Sequence, residues 1–150
     1  MDLKKLQNEI ASDEGVKLEV YLDHLGLPTC GVGHLIIDQD KESGCEVGTK
    51  ITQERCDELF AQDLLVTVQE CKKLYEDFDK LPEECKLIIA NMMYNMGRPR
   101  LSGFKKMHQA VMDGDWFEAS VQMEQSKWFH QVPNRAKRLI QRMKAIGQGD

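Results

Sequence analysis

The feature of this sequence that most restricts its fold is a change in the spacing of apolar residues near Gly15. Apolar residues between positions 3 and 11 recur at helical intervals, and a glycine directly after them is able to end a helix in the left-handed conformation. From residue 16 to residue 22, apolar and polar residues alternate, which is the pattern of a half-buried strand. The sequence therefore predicts a helix that leads directly into a sheet.

The segment after this strand is typical of a hairpin. Residues 24–28 contain glycine and proline and predict a turn of five residues, and residues 29–37 predict a second strand. Residues 45–51 predict a third short strand or a loop. The β-structure is thus expected to be confined to about the first 50 residues.

The remainder of the chain has helical patterns. Thr52 is suited to the N-cap of a long helix whose apolar face runs to Tyr75. Pro82 opens another helix with a buried stripe of cysteine, isoleucine and methionine, and Gly97 ends it. Three more helices are predicted over residues 101–112, 116–123 and 134–146, the second of them capped by Asp115.

These patterns predict an α+β fold with two lobes in a single domain that spans residues 1–150. The small N-terminal lobe is rich in β-structure, the larger C-terminal lobe is helical, and the long helix from Thr52 joins them. A chain of this length is expected to form one core. Residues 147–150 are expected to be a disordered tail.

Charge and apolar content narrow the environment of the protein. No segment approaches the roughly 20 apolar residues of a membrane span, and residues 1–10 lack the apolar segment of a secretory signal, so we expect no membrane insertion, no signal peptide and a cytoplasmic location. The net charge is −5, yet residues 98–144 are basic. That segment suits an anionic polymer such as peptidoglycan, teichoic acid or nucleic acid, or else a solvated helix face.

The cysteines and histidines do not indicate a metal site. The five cysteines lie 11 to 15 residues apart, contain no C-x-x-C motif and are odd in number, so they are expected to be free, partly buried thiols. The four histidines are scattered along the chain, whereas zinc requires clustered ligands. We expect no metal and no cofactor.

The predicted hairpin brings two polar residues to its mouth. If Leu22 and Cys30 flank the turn, Asp23 and Thr29 lie opposite each other, with Cβ atoms about 4.5–5.5 Å apart. A carboxylate and a hydroxyl in that position are able to share one water, which is the general-base half of an inverting glycosidase. Glu14, at the end of the first helix, then supplies the general acid. By spacing alone these acids would be interpreted as ordinary solvated carboxylates.

A more specific indication comes from the run Asp13-Glu14-Gly15, then Tyr21-x-Asp23, then Thr29-x-Gly31-x-Gly33-His34. This run closely resembles the catalytic segment of phage-type lysozymes, glycoside hydrolase family 24. The resemblance implies that Glu14 is the proton donor, that Asp23 is the base or electrostatic partner, and that Thr29 positions the attacking water. It also implies a two-lobed lysozyme fold.

The resemblance continues along nearly the whole chain, to the segment Pro133-Asn134-Arg135-Ala136-Lys137-Arg138. It implies saccharide contacts at Leu35, Tyr94, Met107 and Gln122. Leu35 matches the family leucine and Tyr94 keeps an aromatic side chain. Met107 stands where the family has a small polar residue, and Gln122 replaces an asparagine.

Three further residues have supporting roles by the same resemblance. His34 and Asp63 correspond to a structural ion pair of the family. Arg135 resembles the arginine that pairs with the catalytic glutamate and would orient Glu14.

The function expected from the resemblance is that of an endolysin. Such an enzyme is a muramidase that cleaves the β-1,4 bond between N-acetylmuramic acid and N-acetylglucosamine in peptidoglycan, here by inversion, and lyses the host cell. It would be made in the host cytoplasm and reach the wall through a holin. We expect it to act as a monomer and not to bind nucleic acid.

Two alternatives belong to other functional classes. A lytic transglycosylase needs an acid such as Glu14 but no water held by a base, and it produces anhydro-muramyl ends. A non-catalytic glycan-binding module would keep the fold but not the activity. The presence of Asp23 and Thr29 beside Glu14 favours hydrolysis over both.

Overall fold

Helices make up most of the protein apart from one small sheet near the N-terminus. The structure is a computed structural model that describes residues 1–148. Within these residues it contains seven α-helices, three β-strands and a short 3₁₀ turn at Phe78–Lys80. In chain order the elements are α1 (Leu3–Glu14), β1 (Lys17–Leu22), β2 (Pro28–Gly31), β3 (His34–Leu35), α2 (Gln53–Leu74), α3 (Glu83–Leu101), α4 (Lys105–Met112), α5 (Trp116–Glu124), α6 (Lys127–Gln131) and α7 (Pro133–Ala145).

The described chain forms two compact units, and the boundaries between them fall inside α1 and α2. The first unit, residues 7–66, contains the sheet, and the second contains residues 1–6 together with the chain from residue 67 onward. The predicted α+β class, with a β-containing lobe and a helical lobe, is confirmed.

The sheet of the first unit is antiparallel, with the strand order β1-β2-β3. The prediction of one continuous strand over residues 29–37 was wrong, because the chain turns between β2 and β3. Gly31 and Gly33 have φ angles of 64° and 60°, and side chains rarely tolerate this left-handed region. Two glycines therefore convert an apparently single strand into a tight hairpin.

The segment predicted as a third strand or loop, residues 45–51, is a loop with one bridge between Glu19 and Lys50.

An ion pair holds the chain just before this loop. The buried carboxylate of Glu42 accepts hydrogen bonds from the Arg55 guanidinium at 2.8 and 3.0 Å. A buried carboxylate requires such a partner, since its desolvation is otherwise costly.

The long helix α2 begins where its cap predicts. The Arg55 backbone N–H donates to the Thr52 hydroxyl at 3.0 Å, which satisfies one of the first-turn donors.

Seven apolar side chains from α1, the sheet with its β2–β3 turn, and α2 form the core of this unit: Ile10, Val20, Cys30, Val32, Cys56, Leu59 and Phe60. Burying an aliphatic or aromatic side chain of this size stabilises a fold by about 1.5–3 kcal/mol.

In the second unit α3 carries the predicted buried stripe. Cys85, Ile88, Ile89, Met92, Met93 and Met96 are all buried. The predicted break at Gly97 is confirmed, because this residue has a φ of 80° and a ψ of 163° inside the helical segment. A helical turn then resumes, so α3 reaches Leu101 and the next helix starts at Lys105 rather than at residue 101.

Side-chain caps and one tryptophan determine the ends of the later helices. Asp115 accepts from the Glu118 N–H at 3.0 Å, as its capping pattern predicts. The short helix α6 was not predicted. Ser126 caps it at 3.2 Å, and Trp128 anchors it because its Nε1–H donates to the side-chain amide oxygen Oδ1 of Asn95 at 2.7 Å.

Helix α7 follows as predicted. Residues 147 and 148 form a turn, and the rest of the expected disordered tail lies outside the described residues. None of the helices in the described chain is long and apolar enough to cross a membrane.

All five cysteines are free thiols, as expected. Cys30, Cys56, Cys71 and Cys85 are buried, and Cys45 is exposed. Burial raises the pKa of the Cys71 and Cys85 thiols to about 12. These two side chains therefore act as small apolar groups in the core rather than as nucleophiles.

Candidate active site

The β1–β2 turn holds the carboxylate of Asp23 in a defined position. One of its oxygens, Oδ1, accepts hydrogen bonds from the backbone N–H groups of Leu25 and Leu27, at 2.8 and 2.9 Å. The Asp23 N–H in turn donates to the Leu27 carbonyl at 2.9 Å. Aspartate commonly closes a turn in this way. The second oxygen, Oδ2, makes no hydrogen bond to any residue of the described chain.

The register of the hairpin differs from the predicted one. Thr29 lies opposite Tyr21 and Pro28 lies opposite Leu22, so Asp23 is not the direct partner of Thr29. The turn is two residues shorter than the predicted 24–28, because Asp23 itself pairs with Leu27 through the backbone and leaves only residues 24–26 between them. Asp23 follows β1 directly, so it lies in the turn two residues beyond the partner of Thr29 rather than opposite Thr29 itself.

The hydroxyl of Thr29 is oriented by the same turn. Thr29 is buried, and its Oγ1 donates to the carbonyl oxygen of Leu27 at 2.9 Å. Because the hydroxyl proton is used in this bond, the oxygen remains available only as an acceptor. Leu27 thus binds Asp23 through its N–H and Thr29 through its C=O, which couples the positions of the two polar groups.

Glu14 is the last residue of α1 and is half-buried. Its side chain packs against the β2–β3 turn at Gly33. A Cβ added at Gly33 would lie 2.5 Å from Glu14 Oε1 and 3.2 Å from its Cδ. Only glycine leaves room for this approach, so the turn and the carboxyl group are matched in shape.

One rung of the sheet carries three side chains on the same face. Tyr21 pairs with Thr29, and Thr29 pairs with Leu35 on β3. Leu35 is 47% exposed although it is apolar. This rung is therefore a partly apolar surface beside the polar groups of the turn.

His34 is bound on both ring nitrogens. Nδ1 lies 2.7 Å from the carboxylate of Asp63 on α2, and Nε2 lies 2.7 Å from the carboxylate of Asp40. Burial disfavours the charged ring, but hydrogen bonds to Asp63 and Asp40 outweigh this effect and raise the pKa of His34 to about 9. The ion pair with Asp63 was expected, whereas Asp40 was not.

Asp40 also organises the chain around it. The same oxygen that contacts His34 accepts from the Ile37 N–H at 2.9 Å. Burial opposes the charge of Asp40, yet this bond and the nearby His34 and Arg55 cations lower the pKa of its carboxyl group. His34 therefore connects β3, the following loop and α2 at a position directly after Gly33.

The other four predicted residues belong to the helical unit; they are Tyr94, Met107, Gln122 and Arg135. Tyr94 on α3 is half-buried; Met107 on α4 is fully buried; Gln122 on α5 is half-buried and donates to Glu118 at 2.6 Å. Met107 and Gln122 line a cavity of about 340 Å³ together with Phe104.

Arg135 is buried on α7, and its Nε donates to the amide oxygen of Asn91 at 2.7 Å. Of the residues described, no three His, Cys, Asp or Glu side chains come together in an arrangement that would hold a metal ion.

Sequence reasoning missed three features of this site. Tyr21 was recognised only as part of a motif. Neither the role of Asp40 nor the close approach of Gly33 to Glu14 was predicted. The position of Tyr21 in the predicted strand, two residues before Asp23, was a usable signal. The other two features depend on contacts between segments that are distant along the chain.

Comparison with protein families matches residues 11–145 to the family described as phage lysozyme. The chain belongs to this family, which confirms the resemblance inferred from its motifs. It is accordingly a glycoside hydrolase of the lysozyme class.

Similar proteins come from different biological sources. A probable T4-type lysozyme 2 of Dictyostelium discoideum is 30% identical, with 92% of each chain covered. The pre-baseplate central spike protein Gp5 of Enterobacteria phage T4 is 31% identical over 85% of this chain and 25% of its own length. The peptidoglycan hydrolase gp36 of Pseudomonas phage phiKMV is 30% identical over 95% of this chain and 15% of its own length.

Substituting Gly33 tests whether the β2–β3 turn positions Glu14. Gly33→Ala places a methyl group against the Glu14 carboxyl and is expected to lower kcat on purified peptidoglycan about 10- to 100-fold, since small displacements of reacting groups are costly. Gly44→Ala is the matched control, because Gly44 has a similar φ of 81° but nothing within 4 Å of the added Cβ. Equal activity of the two variants would contradict the assigned role of Gly33.

The His34 cluster predicts a specific dependence of stability on pH. The pKa of His34 rises from 6.5 to about 9 on folding, so its contribution is complete below pH 6.5 and is lost as the pH rises through about 9. The free energy of unfolding should fall by about 3 kcal/mol between pH 6 and pH 9.5. Urea denaturation across this range measures it.

His34→Gln is the control for this measurement. The variant should be less stable at pH 6 and should lack most of the alkaline decline. A decline of the same size in both proteins would show that another group is responsible.

Proposed function

We propose that the protein is a muramidase that hydrolyses the β-1,4 bond between N-acetylmuramic acid and N-acetylglucosamine in peptidoglycan, with inversion of the anomeric carbon. The observation that carries the proposal is the double use of Leu27, whose N–H binds Asp23 and whose C=O binds the hydroxyl of Thr29. This arrangement leaves two acceptors, Asp23 Oδ2 and Thr29 Oγ1, on side chains that bind the same residue of the β1–β2 turn.

Two acceptors are what an attacking water requires. The water would donate one hydrogen to Thr29 Oγ1 and the other to Asp23 Oδ2, which directs a lone pair of its oxygen toward the anomeric carbon. As the new C–O bond forms, Asp23 takes the proton from the water. The backbone hydrogen bonds to Oδ1 hold the carboxylate in place throughout this step.

Glu14 would complete the reaction as the general acid. Its carboxyl proton passes to the glycosidic oxygen while the bond from that oxygen to the anomeric carbon breaks. One proton is thus delivered by Glu14 and one is removed by Asp23, so the pair must be re-equilibrated with solvent before the next turnover.

The remaining predicted residues are proposed to bind or support. Leu35 would pack against a sugar face, with Tyr94 and Gln122 as further saccharide contacts. Met107 is fully buried, so its role in this set would be to shape the cavity beside Gln122 rather than to touch the sugar. His34 and Asp63 would position the β2–β3 turn, and Arg135 would orient Glu14. All of these roles fall within one catalytic domain, which we take to be residues 1–150.

The proposed biological role is lysis of a host cell by an endolysin. In this proposal the enzyme acts as a monomer on the glycan strands after a holin has opened the membrane, and it accumulates in the host cytoplasm before that event. The gp36 relative, which is named a peptidoglycan hydrolase, supports the substrate class. Nucleic acid and membrane lipid have no part in this mechanism.

Digestion of purified peptidoglycan tests the chemistry. The wild-type protein should release fragments with reducing N-acetylmuramic acid ends, identified by mass spectrometry. Glu14→Gln should reduce release at least 1000-fold because it lacks the transferable proton, and Asp23→Asn should be severely impaired because it lacks the base. Proton NMR of the first products should show the α-anomer if the configuration is inverted.

Other products would select the other functions. Anhydro-muramyl ends would identify a lytic transglycosylase, and glycan binding without release would identify a non-catalytic module. A β-anomer as first product would overturn inversion while leaving muramidase activity intact.

The lytic role requires a separate experiment. Bacteria that produce the protein internally should stay intact until a permeabilising agent is added, and should then lyse within minutes. Cells that produce Glu14→Gln should not lyse under the same treatment. Lysis by the wild-type protein without any agent would remove the need for a holin.

A further inference from the structure

Tyr21 has the position of a site residue without an assigned role. It lies directly opposite Thr29 in the sheet, and Asp23 follows two residues later in the chain, directly after the end of β1. Residues paired in an antiparallel sheet have Cβ atoms about 4.5–5.5 Å apart. The phenol therefore lies beside Thr29 and next to the turn that holds Asp23.

The ring of Tyr21 is held in place by a cation. The Lys17 ammonium lies 4.5 Å from the centre of the ring, and the residue is half-buried. A cation over an aromatic face stabilises that arrangement by about 0.5–1 kcal/mol at a partly exposed site. The side chain is thus oriented before any ligand arrives, which lowers the entropy cost of using it in binding.

The hydroxyl group of Tyr21 is available as a donor. It makes no hydrogen bond to any residue of the described chain, although its neighbours are polar. Burial and the nearby negative charges of Glu14 and Asp23 raise the pKa of the phenol above its usual value, so the hydroxyl is protonated at neutral pH. A neutral O–H donor is therefore present beside both carboxylates.

The chemistry of the site determines which acceptor suits this donor. The proposed mechanism uses Asp23 Oδ2 for the water and Glu14 for the glycosidic oxygen, so the substrate must supply the acceptor. An anionic lactyl carboxylate is disfavoured so close to two carboxylates. An amide carbonyl is neutral and is a better acceptor than an ether or hydroxyl oxygen.

We propose that Tyr21 is a substrate-binding residue whose hydroxyl donates a hydrogen bond to the N-acetyl carbonyl oxygen of a sugar at the cleaved linkage. This inference rests on the proposed muramidase function and extends it to the recognition of the N-acetyl group. Tyr21, Thr29 and Leu35 then form one continuous binding rung, with a donor at one edge and an apolar contact at the other.

Affinity measured without turnover tests the inference. Glu14→Gln and the double variant Glu14→Gln/Tyr21→Phe are titrated calorimetrically with a soluble octasaccharide of alternating N-acetylglucosamine and N-acetylmuramic acid. Loss of one hydrogen bond to a neutral acceptor should weaken binding about 5- to 10-fold. In an otherwise wild-type chain, Tyr21→Phe should lower kcat/KM by a similar factor.

Tyr75→Phe is the matched control. Tyr75 is fully buried in the helical unit and stacked on His108, and its hydroxyl makes no hydrogen bond to residues 1–148. Removing this hydroxyl should leave affinity and kcat/KM unchanged. Tyr21→Phe should also keep the thermal midpoint of the wild-type protein, because the hydroxyl it removes has no partner in the described chain.

The same octasaccharide without its N-acetyl groups identifies the acceptor. With that ligand the affinity ratio between Glu14→Gln and the double variant should fall to about one. Unchanged affinity of the double variant for the acetylated ligand would overturn the inference, and a ratio that stays at 5 to 10 without N-acetyl groups would overturn the carbonyl assignment.

Failure of the muramidase function gives a different result. In that case the wild-type protein releases no reducing ends from peptidoglycan, whatever residue occupies position 21. Release by the wild-type protein together with equal kcat/KM for Tyr21→Phe rejects only the role of Tyr21.

Discussion

The antiparallel register between β1 and β2 decides which side chains share the surface of the sheet around Asp23. This register depends on a turn of only a few residues, in which the Asp23 carboxylate accepts two backbone N–H groups and the Asp23 N–H donates to Leu27. A shift by one residue would move every side chain of a strand to the opposite face. Asp23 therefore organises the hairpin as well as presenting an oxygen to the site.

A second set of interactions holds the other side of this small sheet. His34 binds one carboxylate from α2 and one from the loop after β3, and it follows the glycine that packs against Glu14. The ion pairs between His34 and these two carboxylates stabilise the fold only while the imidazole ring is protonated. The packing around Glu14 and the alkaline stability of the protein thus depend on the same cluster.

The two clusters are related to function in different ways. The Asp23 turn leaves acceptors and one phenol donor unpaired within the described chain, while the His34 cluster uses both nitrogens of its ring. Unpaired polar groups at a surface are suited to bind substrate and water, and fully paired ones are suited to hold the backbone. This contrast is the physical basis for treating Tyr21 as a binding residue and His34 as a supporting one.

Local signals in the sequence predicted the helices, their caps at Thr52 and Asp115, the break at Gly97 and the motif that carries Glu14, Asp23 and Thr29. Propensity, capping and apolar spacing act over a few residues, so they are readable without a structure. The short helix α6 was not predicted, because five residues are too few to show a helical period.

Only the tertiary structure decided the pairing of Thr29 with Tyr21, the separation of β2 from β3, the second partner of His34 and the contact of Gly33 with Glu14. Each of these depends on which distant segments pack together, and several pairings are compatible with the same local pattern. By itself the sequence determined the kinds of elements and the chemical groups present, because these follow from local residue identity. Packing determined their registers and partners, because those are set by the lowest free energy of the whole assembled unit.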